Sequence, residues 1–249
     1  MSGVSDSCFI NKLDHYLQLT EREKLDLLVL EESPQVYEAG TVLYAEDKDE
    51  ADALYIVQSG RLHASTVLAD GGRALLKLHF AGDIVGTSNI PFTTAISTVT
   101  VVREARLCRF PRSSLTTLFE VHPRLAALFY SVGMLENVSL TDRLRSIGRT
   151  DGLSRIGSLL LEITSRLRVT NKDFGNEVEL HMTQADIGDA VGLTHVHVNR
   201  MLRELADQGL IERTGSTVTI LDEDRLREVA HFTERYHRIE TDWFPAAKE

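Results

Sequence analysis

His195, His197, Asn199, Arg200 and Arg203 fall within nine residues, and no acid interrupts them until Glu204. Between them stand Val198, Met201, Leu202 and, further on, Leu205, at the spacing of one apolar helix face. The polar set therefore lies on the other face of a helix. Such a helix fits the major groove of DNA, and its amide and guanidinium donors can reach base edges there. An ordinary packed helix with a solvated polar face has the same pattern. The motif alone leaves both readings open, and the surrounding chain has to decide.

The stretch Met182–Ile211 supplies the elements that would position these residues. A short helix with apolar Ile187, Ala190 and Val191 is predicted first, then Gly192, then the longer helix opening at Thr194. Gly192 can take the left-handed conformation that ends one helix and turns the chain into the next. Thr183 and Thr194 are candidate N-caps. Ile211–Ile220 alternates around Gly215-Ser216 and is expected to form a β-hairpin, a wing beside the helix pair. Arg213 and Thr214 near its tip could touch phosphate.

The whole chain bounds the reading. Its 249 residues leave room for two domains and a sizeable core. A hydrophobic share of 43% with 26% charged residues is ordinary for a soluble globular protein. No apolar run approaches the ~20 residues of a membrane span. The N-terminus has no basic segment followed by an apolar one, so no secretory signal is read and a cytoplasmic location is expected. The formal net charge of −10 argues against coating nucleic acid non-specifically, though not against a local basic reading face. Two distant cysteines, Cys8 and Cys108, make no disulfide framework.

Upstream, Asn11–Leu30 reads as helical around a Thr20 N-cap with Glu23 three residues on, a capping box. Ser33–Phe110 changes character. Leu54–Val57, Leu75–Leu78, Ile96–Arg103 and Ala105–Phe110 read as strands, broken by turn signals at Ala39-Gly40, Ser59-Gly60, Asp70-Gly71-Gly72 and Ala81-Gly82-Asp83. An antiparallel β-barrel or roll is the expectation. Arg112–Phe119 reads as a short helix, and a long one runs from Pro123 to about Ile147. The long helix has two apolar stripes. Leu125, Leu128, Val132 and Leu135 can pack on the roll. Tyr130, Gly133, Asn137, Leu140, Leu144 and Ile147 form a heptad-like seam suited to a second copy of the same helix. Burial of both stripes within one chain is the competing reading. Asp151-Gly152 is the expected hinge, a helix over Leu153–Leu167 and a short strand at Val178–His181 follow, and the tail Leu226–Phe244 is expected to be helical. The predicted domains are a sensory roll (1–121), a dimerisation helix and hinge (122–150) and a winged helix-turn-helix (151–249).

A roll, a long helix and a winged helix-turn-helix in that order resemble the Crp/Fnr family of bacterial transcription regulators. The likeness is carried by Ala53-Leu54-Tyr55-Ile56-Val57-Gln58-Ser59-Gly60, by Phe80-Ala81-Gly82-Asp83-Ile84-Val85-Gly86 and by Met182–Ile211. Leu107-Cys108-Arg109-Phe110-Pro111 and the middle piece look more like the Fnr branch. The resemblance implies an α+β fold with a cyclic-nucleotide-binding-like antiparallel β-roll. It implies a homodimer on a two-fold symmetric operator in double-stranded DNA, with half-sites about one helical turn apart, and RNA polymerase as a partner. It places Thr194 on phosphate and His195, Val196, Asn199 and Arg200 at base-reading positions. Thr183, Gln184, His197, Arg203 and Arg213 complete the expected DNA-contacting set. Arg200 matches the family's arginine, suited to guanine O6 and N7. Val196 stands where the family usually carries a glutamate, so the usual operator of neither branch is expected.

The effector site departs from the family. Its cyclic-nucleotide binders hold the phosphate with an Arg-Ser pair and the ribose with a Glu after the Gly-Asp turn. Here Gly86–Ser97 contains neither Arg nor Glu, so cyclic AMP is not expected. The Fnr branch holds a [4Fe–4S] cluster on four cysteines; Cys8 and Cys108 are too few. A thiol redox switch on these two is the remaining redox option, against Cys108 as a small buried hydrophobe. Haem would need ligands such as His63, His79 or Cys8, and no pairing is evident. No cofactor or metal is therefore expected, and His195-Val196-His197 is a poor metal clamp because its rings point to different sides of a helix. No nucleophile triad, phosphate-binding glycine loop or zinc-protease motif is present, so an enzyme is not expected. The competing function is a cyclic-nucleotide-type regulatory module acting on a protein partner.

Overall fold

The computed structural model describes residues 7–247. They divide into two compact units. One takes the chain up to Thr66, then Leu76–Met134 and the chain from Arg238; the other takes Val67–Leu75 and Leu135–His237.

The first unit opens with α1 (Cys8–Tyr16) and α2 (Glu21–Leu28). The helical stretch expected over Asn11–Leu30 is two helices, the second starting at the expected Thr20 cap and the first beginning earlier than Asn11. Ser7 starts α1 by accepting the Ile10 N–H at 3.0 Å. Leu17 is extended and ends it. The capping box then restarts the chain: Thr20 Oγ1 accepts the Glu23 N–H at 3.2 Å, and Glu23 Oε2 accepts the Thr20 N–H at 2.8 Å.

The roll consists of β1 (Gln35–Tyr37), β2 (Val42–Tyr44), β3 (Ala53–Val67), β4 (Arg73–His79), β5 (Ile84–Val85) and β6 (Thr98–Pro111). The sheet runs β1-β6-β3-β4, with β2 also on β6 and β5 also on β3. Strands β3 and β6 are long and continuous, where the turn signals suggested shorter pieces. Ser59-Gly60 is a bulge, not a reversal: the β3–β6 register shifts there, and Gly60 has φ +94°. A Cβ at Gly60 would lie 2.4 Å from the Glu104 carbonyl oxygen, so only glycine lets the two strands approach. Asp70-Gly71-Gly72 does reverse the chain, with the Leu68 N–H donated to the Gly72 carbonyl at 2.8 Å. The interior is filled by side chains of Tyr44, Tyr55, Val57, Leu62, Val99, Val101 and Leu107.

After α3 (Ser113–Val121) comes α4 (Pro123–Arg149). Leu125 and Leu128 at its start are fully buried, as the first stripe required. No helix among the described residues is long and apolar enough to cross a membrane.

In the second unit Asp151 caps α5 (Gly152–Thr170), its carboxylate accepting the Ser154 N–H at 2.9 Å. This helix is the core element: Ile156, Leu160, Leu161 and Ile163 are buried on it. Around it lie β7 (Glu177–Glu179), α6 (Gln184–Val191), α7 (His195–Asp207), β8 (Ile211–Thr214), β9 (Thr217–Ile220) and α8 (Glu223–Val229). The three strands form a sheet in the order β7-β9-β8.

The tail is not the helix expected over Leu226–Phe244. α8 ends at Val229, and His231 turns away with φ +48°. Side-chain anchors replace the helical ladder. Arg235 Nε donates to Asp142 Oδ2 at 2.8 Å, the Tyr236 hydroxyl donates to Ser139 Oγ at 2.7 Å, and Glu234 accepts from Ser165 and Arg227. Tyr236 is buried. No helical periodicity encodes such a strap.

Candidate nucleic-acid interface

The helix pair is held from the inside by Ile187, Ala190 and Val191 of α6 and Val198, Leu202 and Leu205 of α7, all buried. The turn between them is short. Gly192 sits at φ +68°, and Gly188 O accepts the N–H groups of both Gly192 and Leu193. No local turn signal in the sequence marks Gly188. A Cβ there would lie 2.4 Å from the Leu193 carbonyl oxygen, so this helix accepts only glycine where the turn crosses it. Gly188→Ala is expected to destabilise the second unit by about 1–3 kcal/mol, the usual range for overpacking. Thermal melts of the variant check this; an unchanged midpoint would contradict it.

Thr194 caps α7. Its hydroxyl accepts the His197 N–H at 3.4 Å and pairs with His197 Nδ1 at 3.1 Å. Thr183 caps α6 with Asp186 closing a capping box: Asp186 Oδ2 accepts the Thr183 N–H at 2.8 Å and its hydroxyl at 2.7 Å. The sequence signal for this box is an acid three residues after Thr183, with Asp in place of the usual Glu or Gln.

Among the residues expected to meet DNA, Thr183, Thr194, His195, Val196, His197, Arg200, Arg203 and Arg213 are exposed, while Gln184 and Asn199 are half-buried. His195, Val196, Asn199, Arg200 and Arg203 recur at the spacing of one helical face. Val196 leaves 65% of its surface exposed on that face, high for an apolar side chain. His197 lies off the face and belongs to the cap. Arg213 is on β8, where its Nε donates to Gly215 O at 3.1 Å and folds it back over the wing tip. The N-terminal ends of α6 and α7, with their partial positive charge, carry the two threonine hydroxyls.

The second stripe of α4 is on the surface. Tyr130, Gly133, Asn137, Leu140, Leu144 and Ile147 are all exposed, Leu144 by 72%. Met134 and Val138, also exposed, widen it. Their spacing of four from Tyr130 is the sequence signal that marks them.

The thiols sit in the first unit. Cys108 is buried and its thiol donates to the Glu31 carbonyl oxygen at 3.1 Å. Burial, then the Glu31 charge, push its pKa up to about 11. The same two causes raise Cys8. Among the described residues no cluster of three or more His, Cys, Asp or Glu is arranged to hold a metal.

Three carboxyls of the second unit are held below their ordinary pKa. Hydrogen bonds from Ser154 lower Asp151, against an opposing effect of burial. Burial raises Asp186, and hydrogen bonds from Thr183 and Arg73 outweigh it. The hydrogen bond from Arg168, helped by Arg227, lowers Glu223. A depressed carboxyl binds fewer protons folded than unfolded, so stability rises with pH through the acid range. The contribution is complete above the ordinary carboxylate range of about 4 and is lost as pH falls through the depressed folded values. Melting points should be level near neutrality and fall in acid. Asp186→Asn should flatten that fall; an unchanged acid limb would contradict the assignment.

Comparison with known proteins fits this geometry. Residues 34–122 match the cyclic nucleotide-binding domain and residues 154–229 the Crp-like helix-turn-helix domain. The chain is 30% identical over 201 residues to the nitrogen fixation regulation protein FixK of Azorhizobium caulinodans, covering 79% of each chain. It is 26% identical over 229 residues to the fumarate and nitrate reduction regulatory protein of Escherichia coli K12, covering 91% of this chain and 90% of that one. The solved structure of FixK2 from Bradyrhizobium japonicum superposes with a TM-score of 0.71 at 25% identity, over 79% of this chain and 96% of that one. Members of the family are transcription regulators, not enzymes. A β-roll, a long helix and a winged helix-turn-helix with an open polar face, matched over most of the chain, place it in one family: the chain belongs to the Crp/Fnr transcriptional regulators, with the helix-turn-helix as its DNA-binding domain.

Proposed function

We propose that two copies associate along α4 and bind a two-fold symmetric operator, each presenting α7 to one major-groove half-site. The observation that carries this is the apolar stripe from Tyr130 to Ile147, open to water on a helix whose start is fully buried. Exposed apolar surface of this length calls for a partner, and an identical helix is self-complementary about a two-fold axis. Thr194 then meets phosphate, and Arg200, Asn199, His195 and Val196 meet base edges. The bound dimer acts on RNA polymerase, in the cytoplasm.

The roll is the sensory half of this reading, and cyclic AMP does not fit it. The segment after Gly86 brings no cation: Asn89 is buried, its Oδ1 accepting the Ile96 N–H at 3.2 Å, and Arg112 from outside the segment is spent on the carbonyls of Ile90 and Phe92. Tyr44 and Tyr55 occupy the interior. Two cysteines cannot supply the four thiolates of the usual cluster, and their raised pKa values oppose thiolate chemistry. This reading of DNA binding calls on neither cyclic AMP nor an iron–sulfur cluster.

An electrophoretic shift with the region upstream of its own gene, in excess heteropolymer competitor, tests the function. A discrete retarded complex is expected. Loss of the complex to competitor at the same rate as a scrambled duplex would favour the protein-partner module instead.

A further inference from the structure

Arg73 is the first residue of β4, next to the Asp70-Gly71-Gly72 turn, and the tip Val67–Leu75 belongs to the same compact unit as the helix-turn-helix. Its guanidinium is shared between two acids of α6. Nε donates to Asp189 Oδ2 at 2.6 Å, and Nη2 donates to Asp186 Oδ1. The three side chains are mostly shielded, with 34%, 16% and 27% exposure for Arg73, Asp186 and Asp189. Asp186 and Asp189 are three residues apart, so their carboxylates are neighbours on one helix face and repel each other. The planar fork gives each of them its own N–H donor.

The division of labour on Asp186 is informative. Oδ2 holds Thr183, the cap at the exposed end of α6, and Oδ1 holds Arg73. The same carboxylate thus accepts both the hydroxyl and the N–H of the Thr183 cap and is itself fixed by Arg73. Left bare, two carboxylates beside that cap would repel the DNA backbone. Resting on the DNA-binding reading above, we infer that Arg73 is a positioning residue for operator binding, masking Asp186 and Asp189 and fixing the capped start of α6, without touching DNA itself.

The test uses the full chain and a duplex recovered by selection from random DNA. Arg73→Gln should weaken binding about tenfold, and Arg73→Gln with Asp189→Asn should recover most of it. The slope of log affinity against log salt should stay that of wild type. A direct phosphate contact would instead reduce the slope by about 0.9 and would not be rescued, which would overturn the inference. Unchanged affinity in Arg73→Gln would also overturn it. If Arg73→Gln is unstable, Asp189→Asn alone decides: binding at least as tight as wild type is expected, and a tenfold loss contradicts. In free protein, Asp186 amide hydrogen exchange should quicken in Arg73→Gln, a readout independent of DNA. Failure of wild type to bind any duplex would reject the DNA-binding reading; a silent Arg73 in a binding protein rejects this inference alone.

Discussion

Leu144→Asp is expected to leave the fold intact, convert the protein to a monomer and lower affinity for a palindromic operator by about a hundredfold or more. The fold should survive because Leu144 is 72% exposed. In a dimer the same side chain sits in the seam. A carboxylate there meets its symmetry mate, buries two like charges and loses the apolar contact. The effect on DNA then follows without any change to α7. Two linked reading heads gain about a hundred- to ten-thousandfold over one, and the monomer forfeits that gain. Sedimentation gives the mass, and titration of whole and half operators gives the two affinities. Half-site affinity should match that of wild type. A dimeric Leu144→Asp protein would move the seam elsewhere.

Arg200→Ala is expected to cost ~1–3 kcal/mol at one base-pair position and to relax specificity there. Arg200 is exposed on the face that also presents His195, Val196 and Asn199. In a dimer the loss counts once per half-site. Affinity for scrambled DNA should fall far less, because non-specific binding rests on phosphates. Comparison of the variant on the full set of single-base substitutions checks it: one position should become indifferent, and the others should keep their order. Equal loss on cognate and scrambled duplexes would reduce Arg200 to a phosphate contact. Val196 sets the complementary expectation. Its exposed isopropyl group offers apolar contact only, for instance to a thymine methyl, so preference at its position should not depend on a carboxylate acceptor.

Much of this was legible in the residues because local physics wrote it. Thr20 with Glu23, Thr194, Gly192 and the wing turn at Gly215 encode caps and reversals within a few residues of each other, and each folds as its chemistry requires. The α4 stripe was legible because helical periodicity separates Leu125 and Leu128, which are buried, from Leu140 and Leu144, which are not. What escaped depends on partners distant in sequence. Ser59-Gly60 looks like a turn, but the role of Gly60 is set by Glu104 and Ala105 on the neighbouring strand. Gly188 is dictated by a carbonyl oxygen in the next turn of chain. Arg73 answers to acids 113 and 116 positions away. The tail alternates helix-compatible residues, yet Ser139 and Asp142 hold it in another form.

In the proposed complex two copies read one two-fold symmetric site. Selection of bound duplexes from random DNA, with the mass of the protein–DNA complex measured on the selected sequence, tests it most directly. Two inverted half-sites are expected, their centres about one helical turn apart, bound by two chains. Unpaired or directly repeated half-sites, or one chain per site, would contradict it.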